Sequence, residues 1–223
     1  MMRAILEPAR PGGSAASRRM LLLHAAYTSP AEFLREGFAA AVRARGLDLD
    51  LVLPELELHT VLDRSVLPAL RAELILPARA AGCREVWLAG ISLGGYVALA
   101  CAAHHPQDID GLCLLAPYLG SHIITGEIER AGGVQTWQPG ELAEEDDERR
   151  IWQFIRSRAT AGSPPIHLGV GREDRFAARH GLLAAALPPA NVASVPGGHD
   201  WPAWRKLWEH FLDTAVTHTP ARP

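Results

Sequence analysis

The stretch Glu85-Val86-Trp87-Leu88-Ala89-Gly90-Ile91-Ser92-Leu93-Gly94-Gly95-Tyr96 joins a short apolar run to a run of helix-forming residues. The apolar run predicts a buried strand, and nothing after the turn breaks a helix until Pro106. A G-x-S-x-G pattern between a strand and a helix is typical of a sharp turn that lifts a serine hydroxyl above the sheet. Such a turn needs small residues two positions before and two positions after the serine, and here both are glycine. Ser92 is therefore a candidate nucleophile.

The pattern around Ser92 is short enough to occur by chance, so its interpretation depends on the rest of the chain. A dinucleotide-binding glycine loop is a poor alternative, because Ser92 stands where that loop needs a glycine to let its backbone approach a pyrophosphate. A serine is a weak nucleophile at its free pKa and needs a base, which a third group orients. The sequence must therefore supply a histidine and a carboxylate at suitable places.

The composition fits one globular α/β domain. Of the 223 residues, 48% are hydrophobic and 21% are charged, and the formal net charge is −3. This balance, without a dense run of Lys or Arg, argues against nucleic acid as a partner. The apolar runs are much shorter than the roughly 18 residues that cross a membrane. We therefore expect neither a nucleic-acid nor a membrane partner.

The N-terminus and the cysteines favour a cytoplasmic location. The apolar run in Arg18-Arg19-Met20-Leu21-Leu22-Leu23 is interrupted by His24 and is too short for a signal peptide. Cys83, Cys101 and Cys113 have no metal-ligand or C-x-x-C spacing, and their odd number suits a reducing compartment better than a disulfide framework. We expect the three thiols to be small core residues.

Strand and helix patterns alternate along most of the chain. Continuous apolar runs predict strands at residues 20–24, 49–53, 86–89, 111–115, 166–170 and 192–195, with a short edge strand at 3–6. Helices are predicted at 30–45, 65–81, 93–104, 175–187 and 202–215. This alternation predicts an α/β fold with a mostly parallel, twisted sheet of about six to seven strands and helices on both faces. Apart from the edge strand, we expect residues 1–18 to be loosely ordered and residues 19–223 to form a single domain.

The alternation is interrupted once, after the strand at 111–115, which is the fourth in the domain. The insert, residues 118–162, contains a polar loop followed by the acidic run Glu141–Glu148. Glu145 and Asp146 each precede an arginine by four residues, which favours a surface helix. We interpret the charges as a solvated helix face without a catalytic role, and the insert as a small cap.

Among the ten histidines, His199 is the best-placed base. In parallel α/β folds with a G-x-S-x-G turn of this kind, the order along the chain is serine, acid, histidine, and each residue lies just beyond the carboxyl end of a strand. His199 follows the last predicted strand, in Pro196-Gly197-Gly198-His199-Asp200-Trp201, where the glycines let the loop fold inward over Ser92. His24 also ends a strand, but it precedes the serine.

The orienting acid should follow the strand at 166–170. Asp174 is the better candidate, because it lies four residues past that strand and 25 before His199. Glu173 is the alternative, and Asp200 is weaker because a direct neighbour seldom reaches the far imidazole nitrogen. Asp174 could instead serve only as the N-cap of the following helix.

Attack of a serine on an acyl carbon creates an oxyanion that needs two preorganised N–H donors. The backbone N–H of Leu93 is one candidate, at the positive end of the helix after Ser92. The second should come from the loop after the strand at 20–24, and therefore from Ala26 or Tyr27.

The chain from residue 20 to residue 215 resembles the α/β-hydrolase superfamily, and in particular its small serine esterases. The resemblance is carried by Gly90-Ile91-Ser92-Leu93-Gly94, by Gly171-Arg172-Glu173-Asp174 and by Gly198-His199. It implies a triad formed by the serine, the final aspartate and the histidine of these stretches, hydrolysis of a carboxylic ester or thioester, and no cofactor. No motif supports a metal site.

Two features depart from the superfamily's pattern. His24-Ala25-Ala26-Tyr27 stands where many such enzymes carry His-Gly, which leaves the second oxyanion donor open. The insert at 118–162 is small for a cap, so we expect an open, shallow pocket. Six residues are candidates for lining an acyl or alcohol pocket: Tyr27, Tyr118, His122, Ile123, Trp137 and Trp152.

The substrate is open at this level. Because no basic cluster points at the predicted site, we expect a neutral small-molecule ester or thioester rather than a highly anionic one. An acyltransferase or a C–C bond hydrolase would use the same triad, and a non-catalytic ligand-binding protein could share the fold. The sequence does not distinguish these alternatives, nor does it indicate an oligomeric state.

Overall fold

The computed structural model describes residues 2–10, 12, 15–161 and 164–216, and these residues form one seven-stranded sheet. Its strands are β1 (Ala4–Glu7), β2 (Arg18–Leu23), β3 (Leu49–Pro54), β4 (Glu85–Ile91), β5 (Gly111–Leu115), β6 (Ile166–Gly171) and β7 (Val192–Val195). The order across the sheet is β1-β3-β2-β4-β5-β6-β7. All neighbours are parallel except β1, which is antiparallel to β3. The predicted mostly parallel sheet is thereby confirmed.

Helices fill the connections between the strands. They are α1 (Pro30–Arg35), α2 (Phe38–Ala44), α3 (Leu58–Leu62), α4 (Val66–Leu70), α5 (Leu76–Ala80), α6 (Leu93–His104), α7 (His122–Arg130), α8 (Asp147–Ala161), α9 (Ala177–Ala184) and α10 (Trp201–Phe211). A π-helical turn, Arg71–Ile75, joins α4 to α5, and a second one, Leu212–Val216, follows α10. In the described part of the chain, no helix is long and apolar enough to span a membrane.

Two hydrophobic cores cover the two faces of the sheet. Alternate residues of β2 point into different cores, Leu21 into one and Met20 into the other. The first core lies under α4 to α9, and the second lies under α1, α2 and α10. In the second core, the rings of Phe38 and Trp208 stack with centroids 5.3 Å apart. Burial on both faces explains why the central strands are continuously apolar.

The helix predicted at 30–45 is wrong as a single element. Gly37 has a φ of 82°, a left-handed conformation that ends α1 and allows α2 to begin in a new direction. The helix predicted at 175–187 is also shorter in the structure, because α9 begins only at Ala177 and ends at Ala184. Both differences concern helix ends, where single turn residues decide the outcome.

The N-terminal segment carries the predicted edge strand. β1 pairs with β3 from Ala4 opposite Pro54 to Glu7 opposite Leu51. The buried Asp50 carboxylate accepts hydrogen bonds from the N–H groups of Ala9 and Ala16, at 2.9 and 3.2 Å. Ala9 and Ala16 belong to the segment predicted to be loosely ordered, but they are hydrogen-bonded to Asp50 on β3. The domain boundary at residue 18 stays a prediction.

The insert between β5 and β6 contains a helix, α7, where the sequence predicts a polar loop. Ile124 and Ile128 are four residues apart on this helix and both are buried in the first core. That spacing is the signal which could have identified the helix.

The acidic run Glu141–Glu148 is not the solvated helix face that the sequence predicts. Most of it precedes α8. The sequence places Glu145 opposite Arg149, but Arg149 instead pairs with Asp146 and with Glu127 from α7. The neighbouring helix therefore supplies a partner that the local spacing could not reveal.

The last two residues of the run, Asp147 and Glu148, anchor α8. The buried Asp147 carboxylate binds Arg64 Nε at 2.8 Å and His104 Nε2 at 2.7 Å. Glu148 accepts hydrogen bonds from the N–H and hydroxyl groups of Ser121, at 2.8 and 2.7 Å. The contacts of Asp147 hold α8 against the end of α6, the helix that follows Ser92, and those of Glu148 join α8 to the residue before α7 within the insert.

Candidate active site

Ser92 occupies the turn between β4 and α6. Its backbone has φ 50° and ψ −112°, a combination that non-glycine residues rarely adopt. Its N–H donates to the carbonyl of Leu115 at 3.1 Å, and its carbonyl accepts from the N–H groups of Tyr96 and Tyr118 at 3.2 and 2.9 Å. Hydrogen bonds from both sides therefore hold the strained turn in place.

Gly90 and Gly94 make the close approach of strand and helix possible. A Cβ on Gly90 would lie 2.3 Å from the carbonyl carbon of Gly94. A Cβ on Gly94 would lie 2.0 Å from the carbonyl oxygen of Leu23. Because the obstructing atoms belong to the backbone, no side-chain rotation could relieve either contact.

The variant Gly94→Ala is expected to lower the free energy of unfolding by at least about 1–3 kcal/mol, the usual cost of overpacking a core. The added methyl group must displace Leu23 and His24, where the loop after β2 begins. Urea unfolding would measure the loss.

Gly181→Ala is the matched control. Gly181 is exposed inside α9 with nothing within 4 Å of the position that an added methyl group would take, and alanine there should raise stability by up to about 1 kcal/mol. Equal stability of the two variants would contradict the packing argument.

His199 lies in the loop between β7 and α10, and this loop passes over the end of β6. A Cβ on Gly171, the last residue of β6, would lie 2.3 Å from the carbonyl oxygen of Gly197. Gly197 itself has a φ of 125°, a conformation that side chains rarely adopt. The two glycines bring the loop close enough for His199 Nδ1 to lie 2.8 Å from Asp174 Oδ2.

Asp174 is the acid in contact with His199. Its side chain is fully buried, and that of His199 is 12% exposed. The other carboxylate oxygen, Oδ1, accepts a hydrogen bond from the N–H of Phe176 at 2.8 Å. Asp174 therefore stabilises the turn before α9 and binds the histidine at the same time. Because a carboxylate accepts, Nδ1 of His199 carries the proton and Nε2 presents its lone pair.

The two alternative acids are engaged elsewhere. Glu173 Oε2 accepts a hydrogen bond from the N–H of Gly197. Asp200 caps α10, with its Oδ1 accepting from the N–H of Ala203 at 3.1 Å. Within the described residues, neither carboxylate forms a hydrogen bond with His199.

Two aromatic side chains hold the ring of His199. Phe176 and Trp204 each contact it edge to face, with ring centroids 5.3 and 5.1 Å away. Such T-shaped contacts restrict the ring's rotation and exclude water from its faces. Neither residue was predicted from the sequence to belong to the site.

Ser92, Asp174 and His199 follow the carboxyl ends of β4, β6 and β7, which are parallel and therefore end at one edge of the sheet. In the part of the chain that the structure describes, Ser92 forms no side-chain hydrogen bond with His199. Catalytic hydrogen bonds of this kind often tighten only when substrate is bound.

His180 is a third residue near the site that the sequence did not predict. Its buried side chain donates a hydrogen bond from Nε2 to the carbonyl of Pro117 at 3.0 Å, which joins α9 to the segment after β5. The next residue, Tyr118, donates to the carbonyl of Ser92. Burial lowers the pKa of His180, although Asp174 opposes the shift, so the imidazole is neutral. His180 lies four residues after Phe176, a spacing that places the two side chains on the same face of a helix. This spacing is the sequence signal that could have identified His180.

His24 fixes the start of the loop after β2. Its Nε2 accepts from the N–H of Leu56 at 2.9 Å, so the proton lies on Nδ1, which donates to the carbonyl of Ala25 at 2.8 Å. Burial lowers the pKa of His24 and favours this neutral form.

The candidate oxyanion donors lie on α6 and on the loop after β2. Leu93 is the first residue of α6, where backbone N–H groups lack helical acceptors. Tyr27 has a φ of 60° and a side chain that is 95% exposed. The choice of Ala26 or Tyr27 as the second donor stays a prediction.

The predicted pocket residues divide into two groups. Tyr118 is half-buried beside Ser92, and Tyr27 projects from the loop after β2 into solvent. His122 and Ile123 are exposed at the start of α7. Their part in a pocket stays a prediction.

The assignment of Trp137 and Trp152 to the pocket is wrong. Both side chains are buried in the first core, and Trp152 Nε1 donates to the carbonyl of Leu119 at 3.0 Å. They pack the insert onto the first core and do not line an open surface.

The described residues offer no evident metal or thiol chemistry. They contain no group of three or more His, Cys, Asp or Glu side chains arranged to hold a metal ion. Cys101 and Cys113 are buried, and burial raises the pKa of Cys101 to about 12. Cys101 and Cys113 are therefore protonated core residues, as expected. Cys83 is only half-buried and packs against the first core from outside, so the prediction that it is a core residue is wrong.

Solved structures share this fold at low sequence identity. Est1E from Butyrivibrio proteoclasticus superposes with a TM-score of 0.63 at 14% identity, covering 95% of this chain and 93% of that one. The fluorophosphonate-binding serine hydrolase FphF of Staphylococcus aureus gives 0.60 at 15% identity, covering 89% and 82%. An S-formylglutathione hydrolase from Agrobacterium tumefaciens gives 0.57 at 12% identity, covering 95% and 88%.

The sequence comparison agrees with the fold. No curated protein matches the chain. The family described as "Putative esterase" matches residues 55–213, a span that includes β4, the Ser92 turn, Asp174 and His199. The chain belongs to this esterase family and has the α/β-hydrolase fold.

Proposed function

We propose that this protein is a serine hydrolase that cleaves a carboxylic ester or thioester through an acyl-enzyme on Ser92. The observation that carries the proposal is the 2.8 Å contact between His199 Nδ1 and Asp174 Oδ2, at the edge of the sheet where Ser92 occupies its strained turn. Membership of the esterase family supports ester hydrolysis as the reaction.

In the first half of the reaction, His199 Nε2 accepts the proton of the Ser92 hydroxyl while Oγ attacks the carbonyl carbon. The buried Asp174 carboxylate holds the imidazole in the tautomer that leaves Nε2 free and stabilises the imidazolium that forms. His199 then donates the proton to the departing alcohol or thiol. The acyl group remains on Ser92.

In the second half, water attacks the acyl-enzyme with His199 again acting as base, and Ser92 is released with the acid product. The N–H of Leu93 and an N–H of Ala26 or Tyr27 stabilise the oxyanion in both halves. An acyltransferase would differ only in using another nucleophile in place of water.

Covalent labelling with a fluorophosphonate probe tests the proposal most directly. We expect one adduct, located on Ser92 by peptide mass spectrometry and absent in Ser92→Ala. Folded protein that takes up no probe and hydrolyses no p-nitrophenyl ester would overturn the proposal and favour a ligand-binding role on the same fold.

The role of Asp174 can be separated from that of its neighbour. Asp174→Asn is expected to lower kcat by on the order of 10³- to 10⁴-fold, because the amide cannot hold the imidazole in the required tautomer. Glu173→Gln is the matched control, since it changes the adjacent carboxylate that contacts Gly197. A larger loss in Glu173→Gln than in Asp174→Asn, measured on the same ester, would show that the acid is assigned wrongly.

A further inference from the structure

Two arginine side chains contact the aromatic ring of Phe176, which packs against His199. The guanidinium carbons of Arg175 and Arg179 lie over the ring of Phe176, at 4.8 and 5.8 Å from its centroid. The same ring lies 5.3 Å from the ring of His199. The ring of Phe176 thus contacts two positively charged side chains and His199.

Neither guanidinium has a counter-ion among the described residues. Elsewhere in the described chain, several arginines pair with carboxylates, for example Arg64 with Asp147 and Arg71 with Asp108. Arg175 and Arg179 form no such pair. Their positive charge is therefore left to solvent or to a ligand.

The carboxylates close to these arginines are already occupied. Asp174 binds His199 and the N–H of Phe176, and Glu173 binds the N–H of Gly197. Asp200 caps α10. Glu148, which lies next to Tyr118, accepts hydrogen bonds from Ser121. Each of these acids has a structural partner, and among the described residues none of them forms an ion pair with Arg175 or Arg179.

A position over an aromatic ring suits an arginine for binding an anion. An arginine that stacks on an aromatic ring through the face of its guanidinium keeps the N–H donors in the guanidinium plane free for a carboxylate. Arg179 is half-buried. Burial and the Glu148 carboxylate raise the pKa of the Tyr118 hydroxyl, and the charge of Arg179 opposes this shift. Arg179 therefore lies close enough to influence Tyr118, whose backbone N–H is bonded to the carbonyl of Ser92.

We propose that Arg175 and Arg179 bind a carboxylate, or a similar anionic group, on the alcohol or thiol part of the substrate. The proposal rests on the proposed function. His199 must lie next to the leaving group in order to protonate it. Phe176 packs against His199 and therefore borders the departing alcohol or thiol, and Arg175 and Arg179 lie over the ring of Phe176. The sequence favours a neutral substrate, whereas the two arginines favour an ester with an anionic leaving group.

The test compares matched acetate esters. Phenyl acetate, 4-carboxyphenyl acetate and 4-(trimethylammonio)phenyl acetate differ in leaving-group charge, and each kcat/KM is divided by the ester's rate of hydroxide hydrolysis to remove intrinsic reactivity. We expect the anionic ester to be preferred over the neutral one by about tenfold or more, the effect of one charge-assisted hydrogen bond. The cationic ester should be the poorest substrate.

Variants connect the preference to the two arginines. The double variant Arg175→Gln/Arg179→Gln should lower the anionic-to-neutral ratio towards 1, mainly through a higher KM for the anionic ester. Arg84→Gln is the control, because Arg84 is exposed next to the amino end of β4, at the opposite edge of the sheet, and should leave the ratio unchanged. Arg179→Lys retains the charge and should retain part of the preference. It also covers the case in which the double variant does not fold.

The outcomes distinguish this proposal from the proposed function. Hydrolysis of all three esters without a charge preference would overturn the anion site and leave the serine hydrolase standing. Failure to hydrolyse any ester would overturn both. A preference found only when the charge is on the acyl side, with mono-p-nitrophenyl succinate favoured over p-nitrophenyl butyrate, would overturn the assignment to the leaving group. A true preference should also weaken as salt is raised, because exposed charges are screened.

Discussion

Ser92→Ala is expected to lower kcat for ester hydrolysis by on the order of 10⁴- to 10⁶-fold, because members of a triad act as one unit. The hydroxyl is the proposed nucleophile, and alanine removes it without enlarging the side chain. In the described structure, the Ser92 side chain forms no hydrogen bond that stabilises the fold. The thermal unfolding temperature should therefore stay close to that of the parent protein.

Steady-state kinetics on a p-nitrophenyl ester would measure the loss, with active-site titration to exclude traces of parent enzyme. Ser194→Ala is the matched control, since Ser194 is exposed on β7, away from the turn at Ser92. Activity of Ser92→Ala equal to that of Ser194→Ala would remove Ser92 from the mechanism.

His199→Ala should lose about as much activity as Ser92→Ala, again on the order of 10⁴- to 10⁶-fold in kcat. Without the imidazole, the serine has no base to accept its proton and the leaving group has no acid to protonate it. The double variant Ser92→Ala/His199→Ala should be no worse than either single variant, because removal of either partner already disables the unit.

Two controls make the result for His199 specific. His59→Ala changes a histidine that is exposed on α3 and should keep full activity. Added imidazole should restore part of the activity of His199→Ala, because a small base can enter the space between Phe176 and Trp204. Additive losses in the double variant would indicate that Ser92 and His199 do not act together.

Several features of the site could be predicted from the sequence because they depend on local geometry. A serine on a sharp turn between strand and helix requires Gly90 and Gly94, so the pattern around Ser92 reports a backbone conformation directly. The alternation of apolar runs and helices indicated the parallel sheet, because strands covered on both faces are continuously apolar. The position of His199 followed from its place after the last strand.

Other features depend on contacts between distant segments, and only the tertiary structure decided them. Asp174, Glu173 and Asp200 have the same chemistry and similar positions. The passage of Gly197 over Gly171 determines which of them meets His199. Such a choice leaves no periodic signal in the chain.

The same limit explains the residues that were misplaced or missed. A tryptophan in a cap carries the same pattern whether it lines a pocket or fills a core, and packing placed Trp152 in the core. Likewise, an arginine on a helix usually indicates a solvated face. Only the structure shows that Arg175 and Arg179 contact the ring of Phe176, which also contacts His199. The sequence by itself determined the strained turn and the succession of strands along the chain, because both follow from local backbone and burial rules. The tertiary structure decided which side chains meet at the sheet's edge, because that depends on how loops far apart in the chain pack together.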